Sequence, residues 1–294
     1  MSSLPGVTSA PVRAVPRRRA SRVRGRGLVL GFLSVLFVTQ VYPLLWLVIY
    51  SLKTNEEILS GSFFSLPHAL QWVNYKEAYV SGTYLKYLFN SFFVTASTMA
   101  VVIVLCSMVA YAITRFRFKY ASAVMLVFLV GIMIPLQATL LPLMIIFKHM
   151  GILNTYLALI LPYISFSTPL AVFVLSGFMR TIPLEIEESA VMDGASITRT
   201  FRSIILPISV PPIMTVSILT FISIWNEYIM ASTFISSQSL KTLPFGVYSF
   251  VSQYSVNYGA IGAFLVLGAL PVILIYFVLS EKITKGMVAG AVKG

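Results

Sequence analysis

Residues 185–207 read EIEESAVMDGASITRTFRSIILP, four carboxylates and two arginines set in a chain that is 58% hydrophobic and 10% charged. So polar a stretch belongs in water, and its flanks show what it interrupts. No Asp, Glu, Lys or Arg occurs in 149–179 or 203–226, nor in 27–52, 87–114, 120–147 or 242–280. A bilayer core about 30 Å thick needs roughly 20 helical residues, so each window holds one span. Within the last, Ser252, Gln253, Ser255 and Asn257 make the first part a poor membrane segment. The spacing predicts six helices, near 28–52, 88–113, 122–146, 156–179, 207–230 and 259–280. The apolar runs are continuous, without the alternation of a barrel wall. The expected fold class is therefore an all-α polytopic membrane protein with six transmembrane helices.

Basic residues orient it. Six spans put both termini on one side with the loops at 114–121 and 180–206. That side carries sixteen Lys and Arg, including Arg17, Arg18, Arg19, Arg115, Arg117, Arg180 and Lys282, against five on the other, Lys53, Lys76, Lys86, Lys148 and Lys241. The positive-inside rule makes the richer side cytoplasmic, and 185–207 lies there. The net charge of +12 is mostly this topology signal.

Residues 1–26 are expected to be a cytoplasmic, disordered basic tail that meets anionic lipid headgroups rather than nucleic acid, leaving 27–294 as the transmembrane domain. The apolar run after Arg26 exceeds the 7–15 residues usual for a signal core. Cys106 is the one cysteine and packs as a small apolar residue, and His68 and His149 fall in separate outer segments; no metal site is expected. The outer segment 53–87 is short and mixed, RFRFK at 115–119 is a tight inner turn, and Gly151 ends a helix in the outer turn HMGILNT at 149–155. Pro43, Pro135, Pro142, Pro211, Pro212 and Pro271 are kinks that neighbouring helices can cover, or hinges.

The charged stretch reads as helix, glycine turn, helix. Pro183 suits a first helical turn, and Glu185, Glu187 and Glu188 crowd the N-terminal half, where the dipole favours negative charge. Leu184, Glu188, Val191, Met192 and Ala195 form one partly apolar stripe. Gly194 permits a sharp turn. Ser196 caps a second helix, on which Ile197, Phe201, Ile204 and Ile205 repeat with helical period, and Pro207 closes it and begins the next span.

Glu188-Ser189-Ala190, Asp193-Gly194-Ala195, Phe201, Ile204, Leu206 and Pro207 together resemble the EAA loop of ABC importer permeases. The likeness is to the carbohydrate-uptake, MalG-like branch of the binding-protein-dependent transport inner-membrane components. It extends to PLLWLVIYSLKTNEEI at 43–58, NSFF at 90–93, WNEY at 225–228, LPFG at 243–246 and GMVAGAVKG at 286–294. One departure is Ser189 where the motif has its first Ala. The resemblance implies the type I importer permease fold, with 180–206 as a coupling loop docked in a separate ATPase. Glu188 would pair with a basic ATPase residue, Ala190, Val191 and Ala195 would line the contact, Gly194 would make the turn, and Asp193 and Pro207 complete the motif.

The chain has no G-x-x-x-x-G-K-[ST] phosphate loop. It is not itself an enzyme, and ATP and Mg would be bound by the partner ATPase. The implied partners are a second permease forming a heterodimer, two ATPase subunits and an extracytoplasmic sugar-binding protein. Glu227, the carboxylate nearest membrane depth, sits among Trp225, Asn226 and Tyr228. It is either part of a substrate path or an outer-interface residue bonded to loop backbone. The outer loop 231–258 is the expected contact for the binding protein, through Tyr248, Tyr254 and Tyr258, with loop packing as the alternative. The expected cargo is a di- or oligosaccharide or an amino sugar; a glycerol phosphate ester is the alternative. A polytopic membrane enzyme would need acids, histidines or metal ligands gathered at one face. Glu185, Glu187 and Glu188 instead lie on different sides of their helix.

Overall fold

The computed structural model describes residues 19–116 and 118–291, and the side chains of 29–116 and 118–277. Residues 1–18 of the expected tail, Arg117 and Lys293 fall outside that set. Helix α1 (Arg19–Ser51) begins inside the tail, because arginine is a good helix former and an established helix propagates readily into it. The chain divides between Leu47 and Val48. On the first side of that division, α1 turns Phe32, Val35 and Phe37 outward, each more than 60% exposed.

The other side holds α2 (Asn55–Ser60), α3 (Val73–Val80), α4 (Tyr84–Arg115), α5 (Ala121–Ile132), α6 (Leu136–His149) and α7 (Leu157–Met179). After them come α8 (Glu185–Met192), α9 (Ile197–Ile208), α10 (Val210–Trp225), α11 (Ile229–Phe234) and α12 (Tyr258–Ala291). Short 3-10 turns cover Gln238–Leu240 and Leu243–Phe250, and among the described residues Val251 and Val256 form an isolated β-bridge.

Among the described residues, four helices are long and apolar enough to cross a membrane, and up to six if each of two bent pairs counts as one span. The expected third span is such a pair: α5 and α6 meet at 99°, because Pro135 is extended (φ −70°, ψ 128°) and lacks the N–H that would continue the helix. The fifth is the other, with α9 and α10 at 71°. Here the expected role of Pro207 is corrected. The helix runs through Pro207 and breaks at Ser209, just before Pro211 and Pro212 enter the first turn of α10. The span then ends at Trp225 rather than near 230.

Hydrogen bonds sort the loops to two ends. At one, Arg115 Nη2 donates to Ile182 O (2.9 Å), joining the 115–120 turn to the loop after α7. At the other, Asn90 Nδ2 donates to Ser239 O (3.0 Å) and Lys241 O (2.8 Å) while accepting from Tyr156 O–H (2.7 Å). Asn154 ties the 149–155 turn to Ser236 and Ser237, and Asn55 holds Val256 and Tyr258.

The core lies along α4 and α7. Val102, Cys106, Val172, Leu175, Met179 and Ile205 are fully buried there. By contrast Phe92, Val104, Val127 and Leu274 are each more than half exposed. That is the reverse of a water-soluble helix bundle, and it suits a surface whose solvent is lipid or another apolar chain.

Candidate functional site

Helix α7 ends at Met179, and Pro183 leads the chain into α8. Glu185, Glu187 and Glu188 fill the first turn of α8, where unpaired N–H groups and the helix dipole favour carboxylates. Its other end is a Schellman turn. Ala195 N donates to Ala190 O (2.9 Å) and Gly194 N to Val191 O (2.9 Å), with Gly194 left-handed at φ +82°. A Cβ at Gly194 would meet nothing within 4 Å, so backbone conformation, not space, requires glycine. Ser196 then caps α9, its Oγ accepting from Arg199 N at 3.3 Å.

These two ends fix which side chains point away from the bundle. Glu188, Ser189, Val191, Met192 and Asp193 are exposed, Val191 by 57% and Met192 by 87%. Ala195 is half-buried. Ala190 is 7% exposed and faces inward, which corrects its expected place on an outer contact. It lies two residues, about 200°, around the helix from Glu188, so the two cannot share a face. On α9, Phe201 and Ile204 pack against the core around buried Ile205, while Ile197 is 59% exposed.

Glu187, which the motif does not single out, is the carboxylate that turns in. Its side chain is 12% exposed, 2.5 Å from Arg115 Nε, and accepts from Tyr111 O–H at 2.9 Å. Nothing in the local periodicity separates it from Glu188. Its partners lie some 70 residues earlier, where Tyr111 and Arg115 share a face of α4 at i, i+4.

At the opposite end the WNEY residues part company. Trp225 is 4% exposed and stacks on Phe221 (5.1 Å), so it is a core residue rather than a path residue. Asn226 Nδ2 donates to Ile222 O (2.9 Å) and closes α10. Glu227 accepts from Met230 N (2.8 Å), Ala231 N (3.3 Å) and the buried Tyr163 hydroxyl (2.5 Å). It therefore satisfies the start of α11, yet it also lines a cleft of about 110 Å³ with Tyr163, Ser167, Thr220 and Ser223. Tyr228 stacks on Tyr248 (5.6 Å) and Phe245 (6.2 Å), and Lys241 Nζ lies 3.8 Å from the Phe245 ring centre while donating to Ile235 O. Burial pushes the Lys241 ammonium below the usual lysine range.

The expected binding-protein loop is mostly packed. Residues 236–241 are held by Asn90, Tyr87 and Asn154. Leu243 N donates to Ser91 Oγ (2.8 Å), and Gly246 passes so close to Phe264 that a Cβ would lie 2.0 Å from its ring. Tyr248 is 51% exposed, Tyr258 is half-buried with its N–H on Asn55, and Tyr254 is 91% exposed at the tip of a turn closed by Ser252 and Ser255. Among the described residues, no three of His, Cys, Asp or Glu gather where they could hold a metal ion.

Comparison with known proteins draws these features together. Residues 103–287 match the family model for the binding-protein-dependent transport system inner membrane component. The chain is 32% identical over 261 residues to a sulfoquinovosyl glycerol transport system permease protein of Agrobacterium fabrum, covering 89% of this chain and 92% of that one. It is 33% identical over 255 residues to a diacetylchitobiose uptake system permease protein of Streptomyces coelicolor, covering 86% and 84%. A crystal structure of a bacterial ABC transporter involved in the import of the polysaccharide alginate contains a chain of the same fold. It superposes with TM-score 0.78 at 18% identity, over 91% of this chain and 99% of that one. The chain belongs to the binding-protein-dependent transport system inner membrane component family: it is a multi-pass ABC importer permease subunit, working with an ATPase that hydrolyses the ATP.

Proposed function

We propose that this permease pairs with a second, different permease to form the path for a di- or oligosaccharide or an amino sugar. A binding protein outside the membrane delivers the sugar, and two ATPase subunits, holding ATP and Mg, drive the cycle. Both relatives described above are named for sugar-containing cargo, which favours a carbohydrate over a glycerol phosphate ester. Both termini and the 180–206 loop face the cytoplasm in this reading, in keeping with their excess of basic residues.

The observation that carries the coupling role is the presentation of α8. Glu188, Val191 and Met192 stand out from the bundle on a helix closed by the Gly194 turn, in a chain without a phosphate-binding loop. Glu188 meets a basic residue of the ATPase, Val191 and Met192 fill an apolar cleft beside it, and Gly194 with Asp193 and Ala195 holds the elbow rigid. On the opposite side, the 252–255 turn with Tyr254 is the contact for the binding protein, and Tyr248 flanks it. Residues 236–241 are the packed base beneath. The cleft beside Glu227 lines part of the sugar path.

The test is transport by the reconstituted complex of both permeases, ATPase and binding protein in proteoliposomes. Sugar uptake that needs both ATP and the binding protein is the expected result. Uptake of a glycerol phosphate ester, with no saccharide bound by the binding protein, would overturn the substrate reading.

A further inference from the structure

Most of α8 is exposed; it touches the bundle through buried Ala190 and through Glu187. Glu187 is gripped by two groups one turn apart on α4. Arg115 Nε lies 2.5 Å from one carboxylate oxygen, and Tyr111 O–H donates to the other at 2.9 Å. The same guanidinium donates through Nη2 to Ile182 O at 2.9 Å, just before the Pro183 turn. The Tyr111 ring packs 5.0 Å from Phe201 of α9. The ion pair is nearly dry, with side chains 7% and 12% exposed, so salt and water screen it little. One carboxylate thus draws α4, the end of α7, α8 and α9 to a point.

Helix α4 then runs 32 residues to the opposite end. There Tyr84 O–H donates to Leu267 O (3.0 Å), Tyr87 O–H to Gln238 Oε1 (2.7 Å), and Asn90 to the 239–241 backbone. A rigid helix held by hydrogen bonds at both ends transmits displacement along its axis.

We infer that Glu187 and Arg115, with Tyr111, form the joint through which movement of α8 passes into α4 and on to the outer loop. This rests on α8 being the part the ATPase holds. The two adjacent carboxylates then divide the work. Glu188 faces the motor, and Glu187 is a positioning residue that fixes the docked helix to the bundle. Without Glu187's charge, α8 still docks but slips against α4, and ATP is spent without moving sugar.

The experiment uses the complete transporter in proteoliposomes and measures ATP hydrolysed per sugar imported. Docking is monitored in parallel by crosslinking Met192→Cys to the ATPase. Glu187→Gln is expected to raise ATP per sugar about tenfold while keeping the crosslink, since a buried charge pair is strongly coupled. Arg115→Lys, which keeps the charge but cannot hold Glu187 and Ile182 together, is expected to raise it about threefold. The double variant Glu187→Gln with Arg115→Lys is expected to stay within about twofold of Glu187→Gln alone, because both substitutions break the same joint. A merely structural role would lower protein yield without changing that ratio. Normal ATP per sugar in both single variants, with the crosslink present, would overturn the joint and leave docking intact. A double variant whose effect is the product of the two single effects, about thirtyfold, would overturn it as well. Absence of the crosslink in the Met192→Cys parent would instead remove the docking reading on which the joint stands.

Discussion

The two ends of this permease are built on opposite plans. At the α8 end a short helix stands away from the bundle with Val191 and Met192 uncovered, secured mainly by Ala190, Glu187 and the Gly194 turn. At the other end, 229–250 is stitched down by Asn90, Ser91, Asn154 and Glu227, and the turn around Tyr254 projects beyond it. Surface that a partner must grip is left uncovered, while surface that must keep its shape satisfies its own polar groups. An apolar, acid-edged helix in water is stable in isolation only at a cost, and it makes sense as half of an interface.

This contrast can be broken most forcefully at α8. Glu188→Lys reverses the charge proposed to meet the ATPase, and Gly194→Pro demands φ near −65° where the chain needs +82°. Either should lower sugar uptake by at least about 100-fold, as loss of a charge coupling of several kcal/mol implies. Membrane insertion should persist, read by yield of the membrane fraction. Normal uptake by both variants would show that the exposed helix is not the driven element.

At the packed end the expected effect is on stability. Asn90→Ala strands Ser239 O, Lys241 O and the Tyr156 hydroxyl, costing about 2–4 kcal/mol. The transition temperature in detergent should fall accordingly, and an unchanged transition would mean that this end is held by other contacts. Tyr254→Ala should leave that transition unmoved, because its side chain is 91% exposed, but weaken the binding protein's stimulation of ATP hydrolysis about threefold to tenfold. Equal stimulation would remove the 252–255 turn from the interface.

The smallest effect is one of pH. Glu57 accepts from Thr54 N and His68 N, each at 2.8 Å, and these bonds hold its carboxyl below the usual carboxylate range. A depressed folded-state pKa adds stability that is complete above the unfolded-state value and is lost as pH falls through the folded one. Protection of the 54–57 and 68 amides, taken relative to their intrinsic exchange rates, should therefore fall in acid, and Glu57→Gln should remove that dependence. Protection that is flat with pH in the parent would contradict the capping role.

Much of this was legible in the residues. Charge-free windows mark the membrane helices, because in hydrocarbon a charge is expensive wherever it falls in the chain. The α8 elbow is readable because caps and left-handed glycines act locally: Ser196 and Gly194 do what their types imply. Long-range pairing is not local and could not be read. Asn90 and Ser91 of NSFF turn out to hold the backbone at 239–243, at the start of LPFG, a partnership no periodicity reports. Glu187 and Glu188 look alike in one dimension, and only Tyr111 and Arg115 tell them apart. Ala190, expected at the ATPase contact, and Trp225, expected on a substrate path, are both buried in the bundle, because burial depends on neighbours supplied by other helices. The bends at Pro135 and Ser209 follow from proline chemistry, but their angles are set by packing.

The most direct test of the central claim is a cysteine scan from 185 to 196 in the assembled transporter, crosslinked with and without ATP. Positions 188, 191 and 192 are predicted to capture the ATPase, with yields that change on ATP binding, while 187 and 190 remain silent. Capture of lipid or of this chain alone at 188, 191 and 192, with no ATPase adduct in either state, would contradict it.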